Sequence, residues 1–173
     1  MKRAPSTRAG GWLPAALAAL LAACAAPPAR ALCVGPVCSC TLSTSPVAFG
    51  TVNPLAAGAT LGVGNVRVSC GGVAGLLIPY RIDLGPGASG NVGARRLYAG
   101  ANTLAYNLYS DAARSTVWGD GSAGSPVNGS ILLDVLGLSP AVNHAVYGRI
   151  PSGQTSTVPG SYGDTVTVTL TYY

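Results

Sequence analysis

The chain has 173 residues and a formal net charge of +5 at pH 7, and only 9% of its residues are charged. Much of that charge lies in the first 31 residues; beyond them six Arg oppose five Asp, so the net charge is 6 − 5 = +1. A nucleic-acid or acidic-membrane binding domain needs a basic surface, and this balance argues against both. The later part has no Glu and no Lys and is rich in Gly, Thr, Val and Ala, which is typical of one all-β domain.

The N-terminus is predicted to be a secretory signal peptide. A basic opening precedes an apolar run at residues 12–26, and Ala29-Arg30-Ala31 has the small-x-small form of a signal peptidase site. The apolar run is too short for a comfortable membrane span. We therefore assign residues 1–31 to the signal peptide and residues 32–173 to the folded domain.

A second cleavage site stays open as an alternative. Leu21-Ala22-Ala23-Cys24 resembles the lipobox of bacterial lipoproteins, in which Cys24 would become the lipidated first residue of the mature chain. Both routes predict export across a bacterial inner membrane. We expect the protein in the periplasm during transit and then at the cell surface, in a pilus or outside the cell.

Short alternating segments separated by Gly-, Pro- and Asn-rich turns predict seven or eight β-strands, a number typical of a two-sheet sandwich. In chain order the segments lie at 40–50, 59–70, 75–85, 95–100, 103–111, 130–137 and 144–150, followed by a C-terminal strand within 163–173. In the last one, Val166, Val168, Leu170 and Tyr172 form one face and four Thr residues form the other. No long helical period is present after residue 31.

Three local features carry expectations of their own. Pro79 cannot donate to a β-ladder, so we expect it at a sheet edge or a bulge. Asn128-Gly129-Ser130 fits a glycosylation triplet but is more simply interpreted as a turn. Arg95-Arg96, the adjacent basic pair in the domain, is interpreted as a solvated turn.

Four cysteines remain after either cleavage: Cys33, Cys38, Cys40 and Cys70. An even number suits an oxidising compartment. Cys38 and Cys40 point the same way on a strand and lie too far apart to bond each other. Of the three possible pairings we favour Cys40–Cys70 across two strands with Cys33–Cys38 as a small loop. A zinc site is disfavoured because no second CxxC and no nearby His completes a ligand set.

Catalysis is not expected from this inventory. His144 is the single histidine, and no GxSxG motif or Cys beside a base accompanies it. The Asp residues mostly adjoin Gly, Ala or Ser, where they serve as turn formers. Trp118 and the tyrosines could line a sugar-binding face, but sandwich core is the favoured interpretation. We expect no enzyme activity, no cofactor and no metal.

Several blocks together resemble a known family. They are CTLSTSPVAFGTVNP, VRVSC, RRLYAG, LAYNLYSDAARSTVWGDG, VYGRIPSGQ and PGSYGDTVTVTLTYY, and the match that they define covers essentially all of residues 38–173. This order is similar to that of the spore coat protein U domain, which also occurs in subunits of Csu-type (archaic) chaperone–usher pili.

The resemblance implies an immunoglobulin-like sandwich that lacks its last strand. In that family a periplasmic chaperone, and then another pilin subunit, supplies the missing strand beside the C-terminal one, and an outer-membrane usher assembles the fibre. Carried over, the groove wall falls on Val166, Val168, Leu170 and Tyr172. The family's cross-strand disulfide falls on Cys40 and Cys70.

The chain departs from polymerising members at its N-terminus. Between Ala31 and Cys40 it has only LCVGPVCS, which Pro36 and two cysteines make a poor donor strand. The favoured hypothesis is therefore a structural fibre or coat subunit that accepts a strand. The alternatives are a single-domain surface adhesin that attaches through exposed apolar loops, and a secreted coat-like protein that does not polymerise.

Overall fold

A computed structural model describes residues 38–173, and its architecture is almost entirely β. The nine strands of this range are β1 (Cys38–Ser45), β2 (Thr60–Gly72), β3 (Leu77–Leu84), β4 (Arg96–Ala99), β5 (Asn102–Ala105), β6 (Asn107–Tyr109), β7 (Val127–Leu132), β8 (Val142–Ile150) and β9 (Val168–Tyr172). Two 3₁₀ turns, Gly87–Ser89 and Val92–Ala94, lie between β3 and β4. None of the helical segments in this part of the chain is long and apolar enough to cross a membrane.

The strands form two main sheets and a hairpin. The first sheet has the order β1-β2-β8-β6, the second has the order β7-β3-β9, and β4 pairs with β5. The ladders are antiparallel. The predicted all-β, immunoglobulin-like two-sheet sandwich is confirmed.

The core lies between the inner faces of the two sheets, where alternation puts every second side chain. In β2 the buried face includes Val66, Val68 and Cys70, and in β3 it consists of Ile78, Tyr80, Ile82 and Leu84. Trp118 is fully buried, and its indole N–H donates to the carbonyl of Ile82. The interpretation of Trp118 as core is therefore confirmed.

Three predicted strands have clearly different bounds in the structure. The segment 40–50 corresponds to β1, which ends at Ser45. The segment 103–111 divides at Tyr106 into β5 and β6, which belong to different sheets. The segment 130–137 begins earlier, as β7, and ends at Leu132. It stops there because the Asp134 carboxylate accepts hydrogen bonds from the backbone N–H of Leu136 and Leu138 and holds a turn.

The expectations for Asn128-Gly129-Ser130 and for Pro79 were wrong. Asn128-Gly129-Ser130 lies inside β7 rather than in a turn, and Gly129 is required there because a Cβ would overlap the Tyr80 ring on β3. Pro79 lies in the middle strand of its sheet. The N–H that proline lacks would point to the same side as its carbonyl, which accepts from the N–H of Tyr173. Pro79 is tolerated because this side faces only the end of β9.

Candidate functional site

The C-terminal strand β9 is an edge strand with one neighbour among residues 38–173. It pairs with β3 in a register that places Tyr172 opposite Tyr80, Leu170 opposite Ile82 and Val168 opposite Leu84. The ladder continues one residue further, where the N–H of Gly85 donates to the carbonyl of Thr167 at 2.9 Å. Of the predicted wall residues, three lie in β9 and Val166 lies just before it.

The backbone of β9 has hydrogen-bonding groups on its outer side that no strand of residues 38–173 uses. Thr167 and Tyr173 direct their backbone groups at β3. In an antiparallel strand alternate residues point to the same side, so Val168, Leu170 and Tyr172 direct theirs away from β3. No strand within the described residues pairs along that side. Such an edge is a template for a further strand.

The side chains of β9 show the same incompleteness. Val166, Val168, Leu170 and Tyr172 pack against the core but stay partly exposed, and the Thr residues between them are exposed. Because the same residues carry the outward backbone groups, a strand added here would gain both a ladder and an apolar surface.

The opposite wall is the edge of the other sheet. β1 pairs only with β2 within residues 38–173, and its inward side chains Cys40 and Leu42 are partly exposed. A cavity of about 190 Å³ separates the end of β1 from the start of β9 and is lined by Thr44 and Val47 on one side and Val166 and Val168 on the other. We call the channel between β1 and β9 the edge groove.

The segment after β1 forms the floor of the edge groove at one end. Val47 and Phe49 lie on the inner face of the first sheet, where Gly62, Gly64 and Gly148 leave room for them. A Cβ on any of these glycines would approach Val47 or Phe49 atoms to 2.6–3.1 Å. The glycines are therefore needed for this segment to cross the sheet.

A larger cavity of about 790 Å³ continues the edge groove past β9. It lies between residues 47–54 and residues 157–164, and it shares Val47, Phe49, Leu97 and Asp164 with the smaller cavity. The two cavities therefore adjoin at these four side chains, and the path beside β9 extends beyond the strand itself.

Asp164 is a partly buried carboxylate at this junction. Its Oδ1 accepts hydrogen bonds from the N–H of Ala88 at 2.9 Å and of Thr165 at 2.8 Å. Its Oδ2 accepts from the Tyr106 hydroxyl at 2.7 Å. Burial, followed by this bond to Asp164, raises the pKa of Tyr106, so the phenol remains a proton donor.

A buried arginine, Arg95, connects the end of β3 with β6 and with Trp118. Arg95 is 0% exposed, and its guanidinium donates to the carbonyls of Leu84, Gly85 and Trp118 and to Asn107 Oδ1. Burial lowers the pKa of Arg95, and nearby negative groups including Asp164 oppose that effect.

The interpretation of Arg95 as part of a solvated turn was wrong, although Arg96 is exposed. The missed signal is the alternation Arg95-Arg96-Leu97, which puts Arg95 on the same face as the buried Leu97.

The predicted disulfide between Cys40 and Cys70 is present, with a Cα–Cα distance of 4.1 Å, and these residues are directly opposite in the β1–β2 ladder. Cys38 is also disulfide-bonded. Its predicted partner, Cys33, lies outside the described residues, as do the signal peptide and Cys24.

His144 faces the core rather than a cavity. Its Nε2 lies 2.8 Å from the Tyr80 hydroxyl, and its ring meets those of Tyr80 and Trp118 edge-on. Burial lowers the pKa of His144, which favours the neutral ring. Within the part of the chain that the structure describes, no group of three or more His, Cys, Asp or Glu could hold a metal ion.

Solved structures similar to this protein include two from chaperone–usher systems. One is a chain of the crystal structure of the CsuC–CsuE chaperone–tip adhesion subunit pre-assembly complex from archaic chaperone-usher Csu pili of Acinetobacter baumannii, with 23% identity and a TM-score of 0.51. That match covers 77% of this protein but only 39% of the other chain. The other relative is a chaperone-usher pilus structure, with 14% identity, a TM-score of 0.46, and coverage of 99% of this chain and 96% of that chain.

Comparison at the level of sequence identifies the family. No curated protein matches the chain. The Spore Coat Protein U domain profile matches residues 32–169, which is most of the chain. The family resemblance predicted from the sequence blocks is confirmed: the chain belongs to the Spore Coat Protein U domain family.

Proposed function

We propose that this protein is an exported structural subunit of a chaperone–usher surface fibre, and that it accepts a partner's β-strand in the edge groove. The observation that carries the proposal is the side of β9 along which no strand of residues 38–173 pairs, where outward backbone groups coincide with partly exposed Val168, Leu170 and Tyr172. Adding a strand satisfies both kinds of group at once. The family and the fold shared with a chaperone–subunit complex support the same role.

The partners follow from this mechanism. A periplasmic chaperone would cover the edge groove first, an outer-membrane usher would receive the complex, and another subunit would then replace the chaperone strand. Export to the periplasm rests on the signal peptide predicted in residues 1–31. The family and fold are those of structural subunits, so we propose no catalysed reaction.

The test is strand addition in trans. A peptide of alternating apolar residues should raise the melting temperature of the purified protein. At a free peptide concentration one hundred times Kd, binding should add about 2.7 kcal/mol to the free energy of unfolding. Val168→Arg should abolish the shift because its side chain lines the groove, whereas Thr169→Arg, on the exposed face of the same strand, should retain it.

Two results would contradict strand acceptance. One is the absence of a shift with apolar peptides of either chain direction. The other is equal loss of the shift in the two arginine variants. If the chaperone-free protein is also a very stable monomer, a secreted coat-like protein that does not polymerise becomes the better description.

A second candidate function, surface adhesion, is favoured by an exposed apolar patch at one end of the sandwich. The β2–β3 and β7–β8 loops are joined there by hydrogen bonds such as Gly72 N–H to the Gly137 carbonyl. The apolar side chains exposed around these loops are Val73 (57%), Leu132 (64%), Val135 (89%), Leu136 (77%) and Leu138 (59%). Contiguous patches of this kind commonly mark interaction sites.

Adhesion can be tested separately from strand addition. The double variant Val135→Ser/Leu136→Ser should lower attachment to apolar surfaces and leave peptide-induced stabilisation unchanged. Leu61→Ser/Val63→Ser, which removes two exposed apolar side chains from β2 instead, is the matched control. Unchanged attachment in the loop variant would remove the adhesin hypothesis.

A further inference from the structure

The edge groove carries an acidic position in line with its apolar ones. Asp164, Val166 and Val168 are alternate residues of the chain, and all three line the smaller cavity. Leu170 and Tyr172 continue this face. A strand lying beside β9 therefore meets four apolar side chains at alternate positions and then one carboxylate at the next.

Asp164 is also the single charged side chain that lines either cavity within residues 38–173. The one salt bridge found in this range joins Arg81 and Asp83, so Asp164 has no direct ion-pair partner there. Arg95, the nearby buried cation, directs its guanidinium at carbonyls and at Asn107 instead.

The Asp164 carboxylate lines both cavities and retains one unused acceptor position. A carboxylate has about four acceptor positions. Two are used at Oδ1 by Ala88 and Thr165, and one is used at Oδ2 by Tyr106. An entirely apolar strand would cover the remaining position and leave it without a hydrogen-bond donor. A Lys or Arg side chain would instead form a charge-assisted hydrogen bond.

We propose that the edge groove selects a donor strand with apolar side chains at four alternate positions and a Lys or Arg at the next, opposite Asp164. This rests on the proposed strand-acceptor function. Asp164 precedes β9, so the basic residue lies at the N-terminal end of a donor parallel to β9 and at the C-terminal end of an antiparallel one. Residues 32–37 of this chain, LCVGPV, contain no Lys or Arg. Under the assigned cleavage after Ala31, this segment cannot supply the basic residue, so the donor is a strand of a different protein.

The test uses synthetic nine-residue peptides in both directions, with Lys, Met or Glu at the position opposite Asp164. Met matches the length and apolar stem of Lys without its charge. With the wild-type protein we expect Lys peptides to bind about tenfold more tightly than Met peptides, and Glu peptides most weakly, by calorimetry. High salt should reduce the advantage of Lys.

Two variants separate charge from folding. Asp164→Asn keeps the acceptor for Ala88 and Thr165, and it should remove the preference for Lys while Met peptides still bind. Tyr106→Phe keeps the carboxylate and frees Oδ2, so it should preserve or increase the preference. This second variant keeps the proposal testable if the first does not fold.

Equal affinity of Lys and Met peptides for the wild-type protein would overturn the role of Asp164 alone and leave strand acceptance intact. Absence of binding by every peptide would overturn strand acceptance and this proposal together. The two failures are therefore distinguishable in one set of titrations.

Discussion

Strands β3 and β9 are neighbours with the same alternating design, yet their inner faces differ in exposure. Ile82 and Leu170 lie directly opposite each other, and both point into the sandwich. Ile82 is 0% exposed, as are Ile78 and, within 2%, Tyr80 and Leu84, whereas every inward side chain of β9 is partly exposed. The difference does not come from residue type, since both faces are apolar.

The difference in exposure between β3 and β9 comes from the number of neighbouring strands. β3 has β7 on one side and β9 on the other, whereas β9 has only β3 within residues 38–173. A strand with two neighbours has its inward side chains covered along both edges. One with a single neighbour leaves both backbone groups and apolar area in contact with water. The same alternation of apolar residues can therefore occur in a strand that is covered along both edges and in a strand that is open to a further strand.

The largest expected loss of stability comes from replacing the buried Arg95, which donates to the carbonyl of Leu84 at the end of β3. Arg95→Met removes the guanidinium donor from the buried carbonyls of Leu84 and Trp118 and leaves Asn107 Oδ1 with the Leu108 N–H alone, and we expect a loss of about 4 kcal/mol. Urea unfolding with intact disulfides measures it. Arg96→Met is the matched control, because Arg96 is exposed and should cost less than about 0.5 kcal/mol. Similar costs for the two variants would contradict the role of Arg95.

The opposed pair in the two strands tests the comparison directly. Ile82→Ala should cost about 3 kcal/mol because it leaves a closed cavity in the core. Leu170→Ala should cost about half of that, since water can enter the open side and no sealed cavity forms. The cost at Leu170 should rise when a donor peptide is bound. Equal costs in the free protein would mean that β9 is already covered.

The smallest expected effect concerns pH and the contact between β3 and β8. Burial lowers the pKa of His144 in the folded state below its ordinary 6.5. Its contribution to stability is therefore present above pH 6.5 and is lost as pH falls through the lowered folded-state pKa. His144→Gln keeps an acceptor near the Tyr80 hydroxyl without a titrating ring, and it should flatten the stability profile below pH 6.5. Parallel profiles for variant and wild type would contradict this.

Features that alternation and strand pairing place could be predicted from the sequence, whereas positions that depend on tertiary packing could not. The four-residue face of the C-terminal strand and the Cys40–Cys70 pair were predictable, because alternation and strand pairing place these side chains with little freedom. Arg95 and Asn128-Gly129-Ser130 were misinterpreted because residue type was given more weight than alternation. A basic pair and an Asn-Gly step are common in turns, but here packing against Trp118 and Tyr80 decided their positions.

The sequence by itself determined the all-β sandwich, the family and the apolar face of the last strand, because each depends on local periodicity or on residue order. Only the tertiary structure decided which strands lie at the edges, that β1 and β9 face each other across a groove, and that Asp164 stands where its two cavities adjoin. These features depend on contacts between segments that are distant in the chain, such as the pairing of Tyr80 with Tyr172. No periodicity within a short segment specifies such contacts, because they arise from how the sheets pack.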